Sequence, residues 1–377
     1  MNSLRSWLFE HREVQTYAFV GVAVTAASLE YLGLSRILAA IAGRLRIKLL
    51  GALALWNNKF DDATVSQIFI YPVKSLKAVS IENVRIDAKG LVGDRRYMLV
   101  APRQPPMIGT FGPNDATHQF MTQRQVPLLA TIRAIVSAKD GSLTLSSPLV
   151  QESVTIQPMK ERVSGKKLRA RIWDDITEVT DLGHQAGKFL SRVVSQDKDA
   201  PPLADKMRLV VMNKDDRFTD ERYTPRSALS WTGAAPKVSL TDGFPVLIVS
   251  EASLDELNKR LGEKGKKPIP MSRFRPNIVV KGTKPFEEDT WRVISIDGLI
   301  FHIVKGCPRC KQSCTDQETG RVFEEPLETL SEFRALGGVK ENVYFAQNAI
   351  AQGTGGSISV GSRICVLERG DPIWDVK

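Results

Sequence analysis

The sequence predicts a β-rich α+β protein in which two domains follow an N-terminal membrane-anchor helix. The chain has 377 residues, and at roughly 100–200 residues per domain this length suits two domains and an extension. From residue 63 onward, short alternating apolar runs are separated by turn formers, which is typical of β-strands. A nearly uncharged stretch over residues 16–34 precedes them.

The stretch over residues 16–34 reads TYAFVGVAVTAASLEYLGL and carries one charge, Glu30. Its length is close to the roughly 17–25 apolar residues that span a bilayer. The sequence therefore predicts a membrane anchor, with a buried globular helix as the alternative. Basic residues follow this stretch, so the positive-inside rule places the rest of the chain in the cytosol.

Residues 35–56 continue as a basic amphipathic pattern. Apolar side chains recur at helical spacing, at Leu34, Ile37, Leu38, Ile41, Leu45 and Leu49. The cations Arg36, Arg44 and Lys48 lie off this stripe. The pattern predicts a helix in the membrane interface with its cations toward the lipid headgroups. Residues 56–62 then break the apolar run and are interpreted as a linker.

Composition excludes several classes of protein. Hydrophobic residues make up 42% of the chain and charged residues 25%, which is ordinary for a globular protein and excludes overall disorder or a polytopic membrane protein. The net charge of +10 is compatible with a membrane surface or an anionic ligand. The densest basic run, residues 160–171, contains no aromatic residue. We interpret it as a solvated strand and loop, and we expect no nucleic-acid partner.

The rest of the chain predicts strands with two helices among them. Helices are expected over residues 182–194 and 250–261, the second with Ser250 or Ser253 as its N-cap. A proline-rich segment at 199–204 marks a domain seam. The predicted division is an anchor and linker over 1–62, a first domain over 63–197 and a second over 198–377. Strands are expected at 65–73, 79–86, 97–100, 129–132, 143–145, 207–212, 246–249, 276–280, 293–296, 300–304 and 358–367.

Three of the four cysteines, Cys307, Cys310 and Cys314, follow C-x2-C-x3-C spacing. Structural zinc requires four ligands, and the chain has no second cysteine pair. An iron–sulfur cluster also requires a fourth thiolate, which Cys365 could supply. A thioredoxin-like pair requires a βαβ unit, and ordinary buried cysteines are a further alternative. Finally, Cys310 lies between two cations, Arg309 and Lys311, which stabilise a thiolate suited to a soft metal.

Several motifs match one family in order along residues 63–370. They are YPVKSLK at 71–77, GDRRY at 93–97, FPVLI at 244–248, SEAS at 250–253, FRPNI at 274–278, the cysteine window at 307–320 and FAQN at 345–348. Together they resemble the MOSC-domain proteins that bind the molybdenum cofactor, in particular the mitochondrial amidoxime-reducing components. The resemblance implies an N-terminal β-barrel domain packed on a C-terminal MOSC β-barrel domain.

The resemblance also implies roles for individual residues. Cys310 aligns with the catalytic thiolate that binds molybdenum. Arginines there would form bidentate, charge-assisted bonds with a pterin phosphate. Cys314 differs from the family pattern, and we expect it to fill a core position. Candidate proton donors are Asp316, Asn277 and His302. The residues that align with cofactor-binding positions are Lys74, Ser75, Arg95, Gly243, Phe244, Arg275, Pro308, Arg309 and Asn348.

The function implied by the resemblance is reduction of N-hydroxylated compounds such as amidoximes and hydroxylamines. Electrons would come from NADH through NADH-cytochrome b5 reductase and cytochrome b5. The protein would be anchored in the mitochondrial outer membrane or, alternatively, the endoplasmic reticulum, with its catalytic domain facing the cytosol. A cofactor-binding or sulfur-carrier protein without reductase activity is the alternative function, and an iron–sulfur electron carrier is a third.

Overall fold

A computed structural model describes residues 34–56, 62–103, 116–158, 165–202, 204–230, 233–337, 339 and 342–375. The first part of the chain contains α1 (Leu34–Trp56), β1 (Thr64–Ile70), β2 (Val79–Ile81), β3 (Asn83–Asp87), β4 (Gly90–Leu91), β5 (Tyr97–Pro102), β6 (His118–Phe120), β7 (Arg133–Val136), β8 (Leu143–Ser147), β9 (Val150–Ile156), β10 (Lys167–Ile172), β11 (Asp175–Asp181) and α2 (His184–Val194). The remainder contains β12 (Arg208–Met212), β13 (Val246–Ser250), α3 (Glu251–Glu263), β14 (Ile278–Lys281), β15 (Trp291–Ile296), β16 (Leu299–Pro308), α4 (Leu327–Phe333), β17 (Tyr344–Ala351), β18 (Ser357–Ser359) and β19 (Ile364–Arg369).

Five strands close into a barrel in the order β10-β11-β12-β5-β6. Residues along β10 alternate between exposed and inward-facing positions, so Leu168, Ala170 and Ile172 are buried while Lys167 and Arg169 are exposed. This period of two is the geometry of a strand with one buried face. The predicted β-rich fold with an N-terminal barrel is therefore confirmed. Within the basic run, residues 167–171 lie in β10, which has one solvated and one buried face, while residues 160–164 are outside the described residues.

The largest sheet has eight strands in the order β19-β15-β16-β17-β13-β14-β1-β2. A bridge between Thr64 and Arg363 brings the first residue of β1 against the residue before β19, so the sheet curls until these two strands meet. β1 and β2 precede the barrel strands in the chain, and β12 follows residue 198. Strands β1 and β2 of the first predicted domain thus pair in the C-terminal sheet, and β12 of the second predicted domain pairs in the barrel. The division between residues 197 and 198 stays a prediction.

α1 packs on the C-terminal sheet through a face other than the predicted stripe. Ala40 and Ile47 are buried, and the Arg44 guanidinium donates to the carbonyl of Leu229. The expectation that Arg44 points toward the lipid headgroups is therefore wrong, because its guanidinium is buried against the protein and donates to a carbonyl there. Three residues of the predicted stripe instead lie outward, at more than half of full exposure: Leu38, Leu45 and Leu49.

The predicted membrane span over residues 16–34 lies outside the described residues except for its last residue. The predicted linker over 56–62 is likewise outside them except at its two ends. Among the helices that the structure describes, none combines the length and apolar character needed to cross a bilayer.

The two predicted helices are present as α2 and α3. Ser250 is the N-cap of α3, and its hydroxyl accepts a hydrogen bond from the Ala252 N–H at 3.1 Å. This bond satisfies one of the free N–H groups of the first turn. α2 begins two residues later than predicted, after Gly183, whose φ of +100° suits glycine.

Candidate functional site

All ten residues that the sequence assigns to the site line one pocket. The pocket lies between the barrel and the C-terminal sheet. Its wall combines the turn after β1, the loop before β13 and the end of β16 with the segments that follow β6 and precede β14. The ten residues are Lys74, Ser75, Arg95, Gly243, Phe244, Arg275, Pro308, Arg309, Cys310 and Asn348.

Three of these residues hold a left-handed backbone that non-glycine residues rarely adopt. The φ angles are +69° at Ser75, +45° at Arg95 and +55° at Arg275. Such conformations cost of order 1–3 kcal/mol each and persist where the surroundings enforce them, most often at functional sites. Their concentration around one pocket distinguishes this pocket from an ordinary surface cleft.

The ring of Tyr71 lies between the guanidinium groups of Arg95 and Arg275. Each guanidinium carbon is 4.3 Å from the ring centroid. The Tyr71 hydroxyl donates to the Pro276 carbonyl at 3.1 Å. Burial raises the pKa of Tyr71 to about 12, and it lowers the pKa of Arg275 to about 10. At neutral pH the phenol is therefore neutral and the guanidinium charged, so the stack fixes a cation at the pocket wall.

Arg95 is oriented by two further partners. Its Nη1 donates to Asp94 Oδ2 at 2.7 Å and to Asn277 Oδ1 at 3.0 Å. The Asn277 amide nitrogen donates to the Phe69 carbonyl at 3.2 Å. Asn277 lines the pocket, but both of its amide atoms are bonded to protein, and this does not favour a role in proton donation.

The other two candidate proton donors do not line the pocket. His302 is buried in β16, and burial lowers the pKa of His302 to about 4. Its Nδ1 is 3.4 Å from the Ser227 hydroxyl. The Asp316 carboxylate accepts from the Thr319 N–H at 2.8 Å, which stabilises a turn. Neither group is placed to deliver a proton into the pocket.

The cysteine window begins at the end of β16. Arg309 donates to Cys307 Sγ and to the Phe274 carbonyl, each at 3.0 Å. Cys307 also lines the pocket, and burial raises the pKa of its thiol. Cys310 is exposed at the pocket wall. It precedes a short 3₁₀ turn, in which the Ser313 N–H donates to the Cys310 carbonyl at 2.9 Å.

The remaining cysteines lie elsewhere. Cys314 is buried, and its Sγ is 3.2 Å from the Glu324 carbonyl oxygen, so it fills a core position as expected. Cys365 is buried in β19. Within the described ranges, no group of three or more His, Cys, Asp or Glu side chains could hold a metal ion. A metal at this pocket would therefore depend on ligands beyond such a protein cluster.

The window is supported from behind by the C-terminal segment. The Gly306 N–H donates to the Ile373 carbonyl at 2.9 Å. The ring of Trp374 packs so closely that a Cβ at residue 306 would be 2.3 Å from it. Lys305 Nζ is 2.5 Å from Asp375 Oδ1. Glycine is required at 306 because only a residue without a side chain admits this indole.

Three further residues that were not predicted from the sequence also line the pocket: Asp242, Thr241 and Arg124. Asp242 Oδ1 accepts from Lys74 Nζ at 2.6 Å and from the Trp173 indole N–H at 2.8 Å. Burial lowers the pKa of Lys74 to about 8, although the charge of Asp242 opposes this. The pocket walls disfavour ionisation of Asp242, but the Lys74 ammonium holds its pKa below the ordinary range. The position of Asp242 directly before Gly243 and Phe244 was the feature of the sequence that could have identified it as a pocket residue.

The pocket carries an excess of positive charge. Arg124, Arg275 and Arg309 line it, and none has a carboxylate within ion-pair distance among the described residues. Two buried polar atoms, Arg309 Nε and the Thr241 hydroxyl, have no hydrogen-bond partner there. Buried polar groups normally have partners. Guanidinium groups without a carboxylate partner, together with polar atoms without a hydrogen-bond partner, fit an anionic group that also forms hydrogen bonds, such as a pterin phosphate.

Comparisons with known proteins agree with this chemistry. The MOSC domain profile matches residues 235–365, and the profile of the MOSC N-terminal beta barrel domain matches residues 62–197. Mitochondrial amidoxime reducing component 2 of Bos taurus is 30% identical over 319 residues, which cover 83% of each chain. The Rattus norvegicus protein of that name is 31% identical, with 82% of each chain covered.

A more distant relative is the molybdenum cofactor sulfurase of Oryza sativa subsp. japonica. It is 26% identical over 281 residues, which cover 73% of this chain and 31% of the sulfurase. The identity to the amidoxime reducing components extends over most of both proteins. The chain therefore belongs to the MOSC-domain family that includes the mitochondrial amidoxime reducing components, and its function is related to the molybdenum cofactor.

Proposed function

We propose that the protein is a molybdenum-cofactor-dependent oxidoreductase that reduces N-hydroxylated compounds such as amidoximes and hydroxylamines. The observation that carries this proposal is the convergence of ten residues, spread from Lys74 to Asn348, on one cationic pocket in which Cys310 is exposed. The names of the two mammalian relatives support amidoximes as the substrate class.

The cofactor would be held by cations of the pocket that have no carboxylate partner among the described residues. Arg275 and Arg309 would bind its phosphate and ring acceptors, supported by Ser75 and Arg95. The Cys310 thiolate would be the protein ligand of molybdenum, next to the backbone of Pro308. Gly243, Phe244 and Asn348 would complete the wall. When bound, the cofactor would supply the two-electron redox chemistry.

The protein's own groups would manage protons and substrate position. Reduction of an N-hydroxyl group to N–H and water consumes two electrons and two protons. Lys74 holds a proton on Nζ beside Asp242 at the pocket wall, and a pKa of about 8 leaves that proton transferable near neutral pH. We therefore include Lys74 as a proton-holding group as well as a cofactor contact.

The proposal includes an external electron source and a membrane location. NADH-cytochrome b5 reductase and cytochrome b5 would supply electrons. Residues 16–34 would anchor the chain, with α1 beside the membrane surface and the catalytic domains over 63–197 and 198–377 in the cytosol. The mitochondrial names of the relatives favour the mitochondrial outer membrane.

The test is metal analysis and turnover on the purified full chain. We expect molybdenum near one atom per chain, and reduction of benzamidoxime with NADH, cytochrome b5 and its reductase. Cys310→Ala should lose turnover and most of the molybdenum. Cys365→Ala removes a buried thiol outside the pocket and should keep both. Full molybdenum content and turnover in Cys310→Ala would refute the assigned ligand.

The likeness to a molybdenum cofactor sulfurase favours one alternative, a protein that binds or carries the cofactor or its sulfur without reducing a substrate. This alternative uses the same cationic pocket but requires no electron donor. Molybdenum binding without benzamidoxime reduction, in the presence of an active donor chain, would establish it instead.

A further inference from the structure

Asp242 is the only carboxylate among the described residues that line the pocket. Five cations share this lining, namely Lys74, Arg95, Arg124, Arg275 and Arg309. A carboxylate repels an anionic group bound nearby, so it weakens a pocket whose sole ligand is an anion. Asp242 forms an ion pair with Lys74 through Oδ1 alone, which leaves its other oxygen as an acceptor for a ligand of opposite charge.

The two oxygens of Asp242 have different surroundings. Oδ1 accepts both described hydrogen bonds, from Lys74 Nζ at 2.6 Å and Trp173 Nε1 at 2.8 Å. Oδ2 accepts none from the described residues, and the Asp242 side chain is 67% exposed. The carboxylate is therefore fixed by one oxygen while the other remains available. A fixed, ionised acceptor binds N–H donors most strongly when the donor is itself a cation.

Trp173 occupies an unusual position for its residue type. It lies in the turn between β10 and β11 with φ of +55°, where hairpins normally place Asn, Asp or Gly. Its indole N–H bonds Asp242, its ring is 5.3 Å from that of Phe120, and the Arg124 guanidinium is 4.4 Å from its ring. These contacts hold a strained tryptophan at the rim of the pocket.

A second connection fixes the backbone that carries Asp242. Arg217 is buried, and its Nη1 donates to the carbonyls of Ser239 at 2.6 Å and Thr241 at 2.9 Å. Its Nε donates to Asp175 Oδ2 at 2.9 Å, just beyond the same hairpin turn. The barrel hairpin thus holds both the side chain and the backbone of the Asp242 loop.

We propose that Asp242 selects ligands that present a cationic N–H donor, such as an amidinium or N-hydroxyguanidinium group, and that Trp173 is the positioning residue that aims its carboxylate. The inference rests on the proposed reductase function and names the charge and donor pattern of the ligand that Asp242 favours, which for an amidoxime substrate is the amidinium product. The binding step itself does not depend on turnover.

The experiment compares two ligands of the same shape. Benzamidine is cationic at neutral pH and benzamide is neutral. Their Kd values are measured by calorimetry on the full chain, with the molybdenum content of each preparation determined. The variants are Asp242→Asn, which removes the charge, and Trp173→Phe, which keeps an aromatic ring but removes the N–H. Asp174→Asn is the matched control, since Asp174 is an exposed acid in the same turn and outside the pocket lining.

We expect Asp242→Asn to weaken benzamidine binding about tenfold or more and Trp173→Phe to weaken it severalfold. Benzamide binding should change less than about twofold, and Asp174→Asn should match the parent. A merely structural role for Trp173 would weaken both ligands alike and leave their ratio unchanged, which would overturn its positioning role. Equal benzamidine affinity in the parent and Asp242→Asn, or no binding by the parent, would overturn the assignment of Asp242.

Failure of the proposed function gives a different result. In that case benzamidine would still bind selectively and depend on Asp242, while the parent protein would not reduce benzamidoxime with an active donor chain.

Discussion

The indole of Trp374 lies directly against the backbone of Gly306, one residue before the cysteine window. A Cβ at residue 306 would be 2.3 Å and 2.5 Å from two carbons of the ring. The C-terminal segment therefore sets the position of the strand end that carries Cys307 and leads to Cys310.

Gly306→Ala should destabilise the protein by about 1–3 kcal/mol, because the added methyl overpacks a fitted contact. Urea unfolding of the variant measures this difference. Trp374→Ala removes the ring, so Gly306→Ala should cost clearly less in that background. Additive costs in the double variant would contradict direct contact between the two residues.

Arg309→Lys should lower cofactor affinity by about tenfold or more. Lysine keeps the charge but loses the planar fork and the unmatched Nε donor. Molybdenum content after dialysis measures the effect. Arg321→Lys is the matched control, since Arg321 is an exposed arginine just beyond the cysteine window and outside the pocket lining. Equal molybdenum retention in Arg309→Lys and the parent would show that Arg309 does not hold the cofactor.

Glu288 should make stability depend on pH. It is fully buried, and its carboxylate accepts from the Ser253 hydroxyl at 2.7 Å. Burial, followed by the charge of Asp289, raises the pKa of Glu288 to about 7 from 4.5. The folded state thus binds a proton more tightly than the unfolded state. The associated stability is fully present below about pH 4.5 and is lost as pH rises through about 7.

Glu288→Gln should therefore reduce the loss of unfolding free energy between pH 5 and pH 8, by about 1–3 kcal/mol relative to the parent. Urea unfolding at both pH values measures it. Glu263→Gln, at an exposed position in α3, should leave the change of unfolding free energy with pH as it is in the parent. If the unfolding free energy of Glu288→Gln changed between pH 5 and pH 8 as much as that of the parent, Glu288 would not titrate in this range.

The outward face of α1 should contribute to membrane binding, as part of the proposed location. In a parent that lacks residues 1–33, replacing Leu38, Leu45 and Leu49 together with Gln removes exposed apolar side chains, so sedimentation with vesicles containing phosphatidylserine should fall. The unfolding free energy should stay within about 0.5 kcal/mol of the parent, because these side chains are exposed.

The control for this prediction is Ile135→Gln with Val136→Gln, which replaces exposed apolar residues of β7. That variant should sediment with vesicles like the parent. Equal sedimentation of all three proteins would show that this face of α1 does not bind the membrane.

The site residues that lie within local sequence motifs were predictable. The YPVKSLK, FRPNI and CPRC segments each contain a pocket residue, and their order indicated which positions belong together. Asp242 was missed because its role arises from contacts with Lys74 and Trp173, which are 168 and 69 residues away in sequence. No local pattern encodes a partner at such distance.

The fold shows the same contrast. Period-two runs and the Ser250 cap predicted many strands and α3, because both signals are local. The strand predicted at 129–132 was wrong, since Pro127–Thr131 forms a 3₁₀ helix, and β17 was not predicted.

The leucine stripe of α1 predicted a helix in the membrane interface, but no local pattern indicated the other face of α1, which packs on the protein. Gly43 of that face lies against Ser227, and Arg44 donates to the carbonyl of Leu229, both in the segment around the 3₁₀ turn Arg226–Ala228. Which face of a helix is buried depends on the shape and unpaired carbonyls of its neighbour.

The pairing of β1 with β14 also determines when the protein can complete its fold during synthesis. Thr64 pairs with Lys281, more than 200 residues later, and the barrel strands are made in between. At about 5–20 residues per second, β1 waits roughly 10–40 seconds for its partner. Throughout that interval an apolar strand has an unpaired edge, so the nascent chain needs protection from aggregation until β14 emerges from the ribosome.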